Sequence, residues 1–169
     1  LHIADLQIAV INLVEPHGHL LDRESVAAFL QPRVRNSHKG SYGSVGVIGG
    51  ATGMAGAALL AARAALKLGS GKVFVGMLAE SAVQLDSAQP ELMWRAPEAL
   101  LQSENLTALA IGCGMGQSDF AQILLKRALT LPIPLVIDAD ALNLIAGDAS
   151  LQSELKTRTA QTIITPHPA

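Results

Sequence analysis

From Ser44 onward the apolar residues fall in short unbroken runs, closed by glycine, aspartate or proline and followed by stretches with helical spacing. Val45–Ile48, Lys72–Val75, Leu109–Ile111, Leu135–Ile137 and Thr162–Ile164 read as strands. Runs without polar alternation, such as Ala108–Ile111 and Leu135–Ile137, suit parallel strands covered on both faces. The spacing predicts helices over Met54–Leu68, Phe120–Leu129 and Ala141–Ile145, with a further pattern over Ala79–Leu85. Repeated strand–helix–strand units of this kind predict an α/β protein, a three-layer αβα sandwich around a mainly parallel sheet. In the first helix Ala57, Ala58, Ala61, Ala62, Ala64 and Ala65 leave little bulk, so it can approach the sheet closely; alanine is also simply the best helix former.

The chain ahead of that sandwich has a different texture. Leu1–Val14 holds one apolar run, Ile8–Ile11, and leads into the turn Pro16-His17-Gly18-His19. Asp22 precedes a helical pattern over Ser25–Leu30, with Val26, Phe29 and Leu30 on one side and Pro32 beyond its end. Polar residues from Arg33 to Ser41 form a linker. The expected organisation is therefore a remnant of a preceding domain over 1–14, a lead-in helix and linker over 15–40, and the sandwich over 41–169. A start at Leu1 rather than Met, and an end directly after an apolar run, read as those of a fragment, incomplete at its C-terminus.

Composition narrows the chemistry. The 169 residues are 50% hydrophobic, 15% charged and 3% aromatic, which gives a buried aliphatic core rather than disorder. A net charge of −2 with scattered basic residues offers no stripe for nucleic acid or an acidic membrane surface. No long apolar span or leader is evident, and a cytoplasmic protein is expected. One cysteine, Cys113, excludes an internal disulfide and a multi-cysteine zinc site.

The strand ends carry the candidate chemistry. Gly49-Gly50-Ala51-Thr52-Gly53-Met54-Ala55-Gly56-Ala57 follows a strand and opens a helix, where unpaired N–H groups and the positive end of the dipole attract anions and glycines admit a ligand to the backbone. A mere tight turn at Gly49-Gly50 is the plainer alternative. The spacing is not the G-x-G-x-x-G of dinucleotide-binding dehydrogenases, which disfavours that class. Gly112-Cys113-Gly114-Met115-Gly116 repeats the arrangement at another strand end, before a helix that Ser118 or Asp119 can cap. Cys113 reads as a small filler rather than a nucleophile, since no histidine is evidently placed to activate it.

Asp138-Ala139-Asp140-Ala141-Leu142-Asn143 closes a third strand. Carboxylates two residues apart on extended chain point the same way, toward Mg²⁺ waters or hydroxyl groups. Asp138 is taken as the site residue and Asp140 as the helix N-cap, with satisfaction of backbone donors an alternative for Asp138. At a fourth strand end, Thr165-Pro166-His167-Pro168, two prolines stiffen the chain around His167, which can bond a ligand, move a proton or serve structurally. Lys39, in His38-Lys39-Gly40-Ser41-Tyr42-Gly43, is a cation either near phosphate or on a solvated loop.

In order, the segments His38-Lys39-Gly40 with Gly43, Gly49 to Ala58, Gly69-Ser70-Gly71, Pro90-Glu91-Leu92-Met93, Gly112 to Gly116, Asp138 to Asn143 and Thr165 to Pro168 resemble the NAD(P)HX dehydratases. Ile3-Ala4-Asp5 is similar to the last strand of the epimerase domain that precedes the dehydratase in bifunctional members. The resemblance implies a ribokinase-like fold and ADP- or ATP-dependent dehydration of the S epimer of NAD(P)HX, assisted by Mg²⁺. It implies phosphorylation of the ring hydroxyl followed by elimination of phosphate, and homo-oligomers such as tetramers. By residue it implies that Ala57, Gly116 and His167 contact the hydrated nicotinamide nucleotide. Gly53, Met54, Gly56, Gly114, Asp138 and Asn143 then shape its pocket, with Lys39 and Gly112 on the nucleotide side.

The chain departs from the pattern at Ala169, where the family has glycine, and at Cys113, where proline is usual. It stops before the family's following glutamate, its lysine-bearing strand and its Gly-x-Gly-Asp motif with the general base, so the isolated chain is expected to be inactive. Two other classes fit the glycine loops: a kinase of the same superfold acting on a vitamin-precursor alcohol, and a non-catalytic nucleotide-binding or oligomerisation fragment.

Overall fold

A computed structural model describes residues 22–27, 29, 32–80 and 85–167. The chain divides into two units, Leu1–Ser37 and His38–Ala169. In the first, helix α1 (Arg23–Ala27) opens on a reciprocal cap: Ser25 N–H donates to Asp22 Oδ1 at 2.8 Å and Asp22 N–H donates to Ser25 Oγ at 2.9 Å. Of the far end of the helix expected over Ser25–Leu30, Phe29 forms a turn, its N–H donating to the Val26 carbonyl at 3.0 Å, and residues 28 and 30 lie outside the described residues.

The second unit holds a 3₁₀ turn (Lys39–Tyr42), β1 (Ser44–Gly49), α2 (Ala55–Lys67), β2 (Lys72–Met77), β3 (Met93–Trp94), α3 (Pro97–Leu101) and β4 (Ala108–Ile111). It continues with α4 (Asp119–Thr130), β5 (Leu135–Asp138), α5 (Ala139–Gly147), α6 (Ala149–Thr157) and β6 (Thr162–Thr165). The strands form one sheet in the order β3-β2-β1-β4-β5-β6, every pairing parallel. All five expected strands are present. Ala79, Glu80 and Leu85 are not helical, and residues 81–84 of that expected helix lie outside the described residues.

Successive residues of each strand face opposite sides, which sorts the core into two layers. Ile48, Phe74, Leu109, Ile111, Leu135 and Ile137 pack on one face beneath Leu100 of α3, Leu124 and Leu125 of α4, Ile145 of α5 and Leu151 of α6. On the other face Val47, Val73 and Val75 meet Ala58 and Ala62 of α2, both without exposed surface. The small alanine side chains thus do what the sequence suggested and seat α2 directly on β1 and β2. On β6, Ile163 and Ile164 are 60% and 53% exposed. No helix among the described residues is long and apolar enough to cross a membrane.

Candidate functional site

The strand order reverses direction between β1 and β4. From β1 the chain crosses through α2 to β2 on one side, and from β4 it crosses through α4 to β5 on the other. Connections that leave adjacent strands in opposite directions open a crevice beyond their carboxyl ends, the usual ligand position in open α/β sheets. Both glycine loops lie there.

They are joined through the backbone. Gly50 N–H donates to the Cys113 carbonyl at 3.0 Å and Ala51 N–H to the Gly114 carbonyl at 2.7 Å. Gly114, at φ +60, passes so close to α2 that a Cβ there would lie 2.8 Å from the Met54 Cβ and 3.2 Å from the Ala57 Cβ. Only glycine satisfies both the dihedral angle and the space. A Cβ on Gly116 would stand 3.7 Å from Ala51. Met54, Ala57, Gly114 and Gly116 are therefore brought together from two loops about sixty residues apart.

The two helices that leave the crevice start differently. Ser118 Oγ caps α4 by accepting from Ala121 N–H at 3.2 Å, as expected for that serine. At α2 the N-cap position is Met54, which has no side-chain cap bond. No side chain caps the first N–H groups of α2, although Ala57 N–H donates to the Met54 carbonyl at 3.0 Å; an uncapped helix start is an arrangement that can receive an anion. Gly53 and Gly56 lie at this helix start, with no atom of the described residues beyond their own local chain within 4 Å of a Cβ placed on either.

At the end of β5 the structure corrects the division of labour expected for the two aspartates. Helix α5 begins at Ala139, so Asp140 lies inside its first turn and is not the cap. Its Oδ2 accepts the Gly116 N–H at 2.9 Å. Asp138 holds the cap position without a side-chain cap bond. Its Oδ1 accepts from Thr165 Oγ1 at 2.8 Å and its Oδ2 from Cys113 Sγ at 3.5 Å, which links the ends of β4, β5 and β6. Between them Ala139 has φ +44, a left-handed conformation that costs a side-chain-bearing residue about 1 kcal/mol or more. Burial first, then the charge and hydrogen bond of Asp138, push the Cys113 thiol up to about 11. A thiol so protonated is a filler and hydrogen-bond donor at neutral pH.

The remaining expected residues divide by rim. Gly112 packs against Asp138 and Ala141 at the crevice. His167 is exposed, two residues beyond the Thr165 that bonds Asp138, at the same carboxyl rim. Asn143 is exposed on α5, one residue short of a full turn beyond Asp140. Lys39 is not brought to this site. Its turn precedes β1, and its carbonyl lies against Gly71 ahead of β2, at the amino ends of strands about 20 Å long. Sequence reasoning missed the bonds of Asp140 to Gly116 and of Thr165 to Asp138; the hydroxyl at the end of β6 was the available signal for the second. Among the described residues no group of three or more His, Cys, Asp or Glu is placed to hold a metal ion.

Comparison with known proteins adds a family to this geometry. The model of the NAD(P)H-hydrate dehydratase family matches residues 45–169. The bifunctional NAD(P)H-hydrate repair enzyme Nnr of Coxiella burnetii is 40% identical over 153 residues, spanning 88% of this chain and 30% of that enzyme. The ADP-dependent (S)-NAD(P)H-hydrate dehydratase of Neisseria meningitidis is 39% identical over 140 residues, 81% of this chain and 47% of that enzyme. The crystal structure of the Bacillus subtilis ADP/ATP-dependent NAD(P)H-hydrate dehydratase, co-crystallised with ATP and Mg²⁺, aligns with a TM-score of 0.66 at 31% identity over 86% of this chain and 51% of that one. The chain thus spans less than half the length of these two curated relatives.

Proposed function

The chain belongs to the NAD(P)H-hydrate dehydratase family, and on that premise we propose that the protein it forms converts the S epimer of NAD(P)HX to NAD(P)H at the expense of ADP. The terminal phosphoryl group of ADP passes to the ring hydroxyl, AMP leaves, and loss of a proton with cleavage of the C–O bond expels phosphate. Esterification turns a poor leaving group into a good one, and positioning with charge stabilisation supplies most of the catalysis in such transfers. In this reading residues 41–169 form the dinucleotide-binding wall, preceded by a lead-in over 15–40 and the tail of an epimerase-type domain over 1–14.

The observation that carries the reading is the crevice between β1 and β4, with the start of α2, uncapped by any side chain, beside two interlocked glycine loops. Phosphates of the nucleotide lie against the first N–H groups of α2, and the close approach of Gly114 to Met54 and Ala57 fixes the spacing of the two loops. His167 at the rim contacts the same nucleotide, with Asp138 and Asn143 shaping the wall behind it. Lys39 stands at the opposite end of the strands, away from these loops. Among the described residues no group of three or more potential ligands is placed to hold Mg²⁺, and Asp138 and Asp140 each accept from protein donors. Any Mg²⁺ arrives with the nucleotide phosphates. A cytoplasmic homo-oligomer completes the proposal.

The test is ADP-dependent recovery of reduced-nicotinamide absorbance from a mixture of NADPHX epimers by the full-length protein, alongside thermal shifts with NADPHX and with hydroxyl-bearing pyrimidines and thiazoles. Consumption of the S epimer alone supports the assignment. No recovery, together with a melt stabilised only by the pyrimidine, assigns the protein to the vitamin-precursor kinases instead.

A further inference from the structure

We propose that Asp140 is a positioning residue that sets the width of the dinucleotide pocket by holding Gly116, an inference that rests on the dehydratase reading above. Residues 112–116 form a segment with left-handed φ at Gly112, Gly114 and Gly116, so the sequence alone leaves it unusually free. Its first part is tied to the β1 loop by the two backbone bonds at Cys113 and Gly114, and Met115 is anchored in the core at 1% exposure. The Gly116 end is gripped from the other side of the crevice, by the Asp140 carboxylate at 2.9 Å. A carboxylate accepting a backbone N–H makes a charge-assisted bond, stronger than one between neutral groups.

The grip depends on local backbone geometry. Ala139, at φ +44, lies between two carboxylates that engage different partners: Asp138 the ends of β4 and β6, Asp140 the glycine loop. A left-handed alanine persists only where its surroundings over-determine it, and such strain concentrates at functional sites. Gly116 in turn stands against Ala51 of the loop that opens α2. Release of Asp140 therefore frees the Gly116 end of the loop to move relative to Ala51, while Cys113, Gly114 and Met115 stay held. That alters the fit of a bound nucleotide while leaving the reacting groups untouched. Because the Gly116 N–H is already committed to Asp140, its part in binding is one of backbone shape.

The experiment compares Asp140→Ala, Asp140→Asn and Asp140→Glu in the full-length protein, reading KM and kcat for NADPHX, the melting temperature and amide hydrogen exchange at Gly116. Asparagine keeps an acceptor oxygen in place, whereas glutamate keeps the charge but displaces it by one methylene. Asp140→Ala and Asp140→Glu should raise KM about tenfold with kcat within about twofold, and Gly116 should lose protection from exchange. Asp140→Asn should restore KM to within about threefold of wild type. If the alanine variant does not fold, the asparagine–glutamate pair gives the same comparison. An unchanged KM in the glutamate variant, or a fall in melting temperature with no change in KM, overturns the positioning role while the dehydratase reading stands. A wild-type protein without ADP-dependent dehydration overturns that reading and this role with it.

Discussion

Cys113 donates its thiol hydrogen to Asp138 Oδ2 across 3.5 Å, from the middle of one glycine loop to the end of the neighbouring strand. The pair accounts for a cysteine that lies at the crevice yet has no nucleophilic character. With the thiol pushed up to about 11, alkylation by iodoacetamide at pH 8 should run roughly a hundredfold slower than for an unhindered cysteine. Asp138→Asn should speed it by removing the charge. Labelling of the wild-type protein at the rate of free cysteine contradicts this account.

Gly56 offers a separation of stability from binding. It lies in the first turn of α2, and among the described residues nothing beyond its own helix turn lies within 4 Å of the Cβ it lacks. Gly56→Ala should stabilise the helix by up to about 1 kcal/mol, because alanine has the better helix propensity. The same methyl group intrudes where a ligand approaches the helix start, so KM for NADPHX should rise. A denaturant melt and a kinetic titration on one variant check both signs.

Arg63 and Asp86 tie α2 to the segment that follows β2, with Arg63 Nε and Nη2 donating to Asp86 Oδ2 and Oδ1 at 2.6 and 2.7 Å. The Arg63 hydrogen bonds hold the Asp86 carboxyl below its ordinary range. In the window between its ordinary value, about 4, and its lowered folded value, the unfolded chain binds more protons, so stability rises with pH there. Asp86→Asn should therefore lower the melting temperature by several degrees near pH 7. The gap between variant and wild type should close as the pH falls through the folded value of Asp86. A gap that persists in strong acid excludes the ion pair as its cause.

Ala139 provides a test of strain. At φ +44, Ala139→Gly should gain about 1 kcal/mol in urea unfolding, and Ala139→Val should lose at least as much, since a β-branched side chain tolerates this conformation least. Loss of stability in the glycine variant contradicts the strained backbone.

Much of the architecture was legible because buried parallel strands announce themselves as unbroken apolar runs. Val45–Ile48, Leu109–Ile111 and Leu135–Ile137 each lie within an observed strand. Met93–Trp94 and Pro97–Leu101 escaped because two and five residues are too few to show a period. Helix α6 escaped although its start is written locally, in the bonds from Ser150 N–H and Leu151 N–H to Asp148 Oδ1. At the site, the clustering of the two glycine loops follows from their place at strand ends. The exchange of roles between Asp138 and Asp140 does not, because it turns on a left-handed alanine that no residue type advertises. Lys39 stands apart from the glycine loops for a topological reason: a residue just ahead of a parallel strand lies at the rim away from the crevice.

The reversal of strand order also fixes when the crevice comes into being. Strands β1 and β2 are joined by one helix and can pair early, whereas β4 reaches β1 only after a long loop closes, as in the contacts between Ser44 and Thr107, 63 residues apart. Closing a loop of that length carries an entropic barrier that local pairing avoids. Loop closure of this length predicts that the glycine loops meet late in folding, and under the proposed function a nucleotide bridging them would clasp the pairing of the sheet that is most distant in sequence.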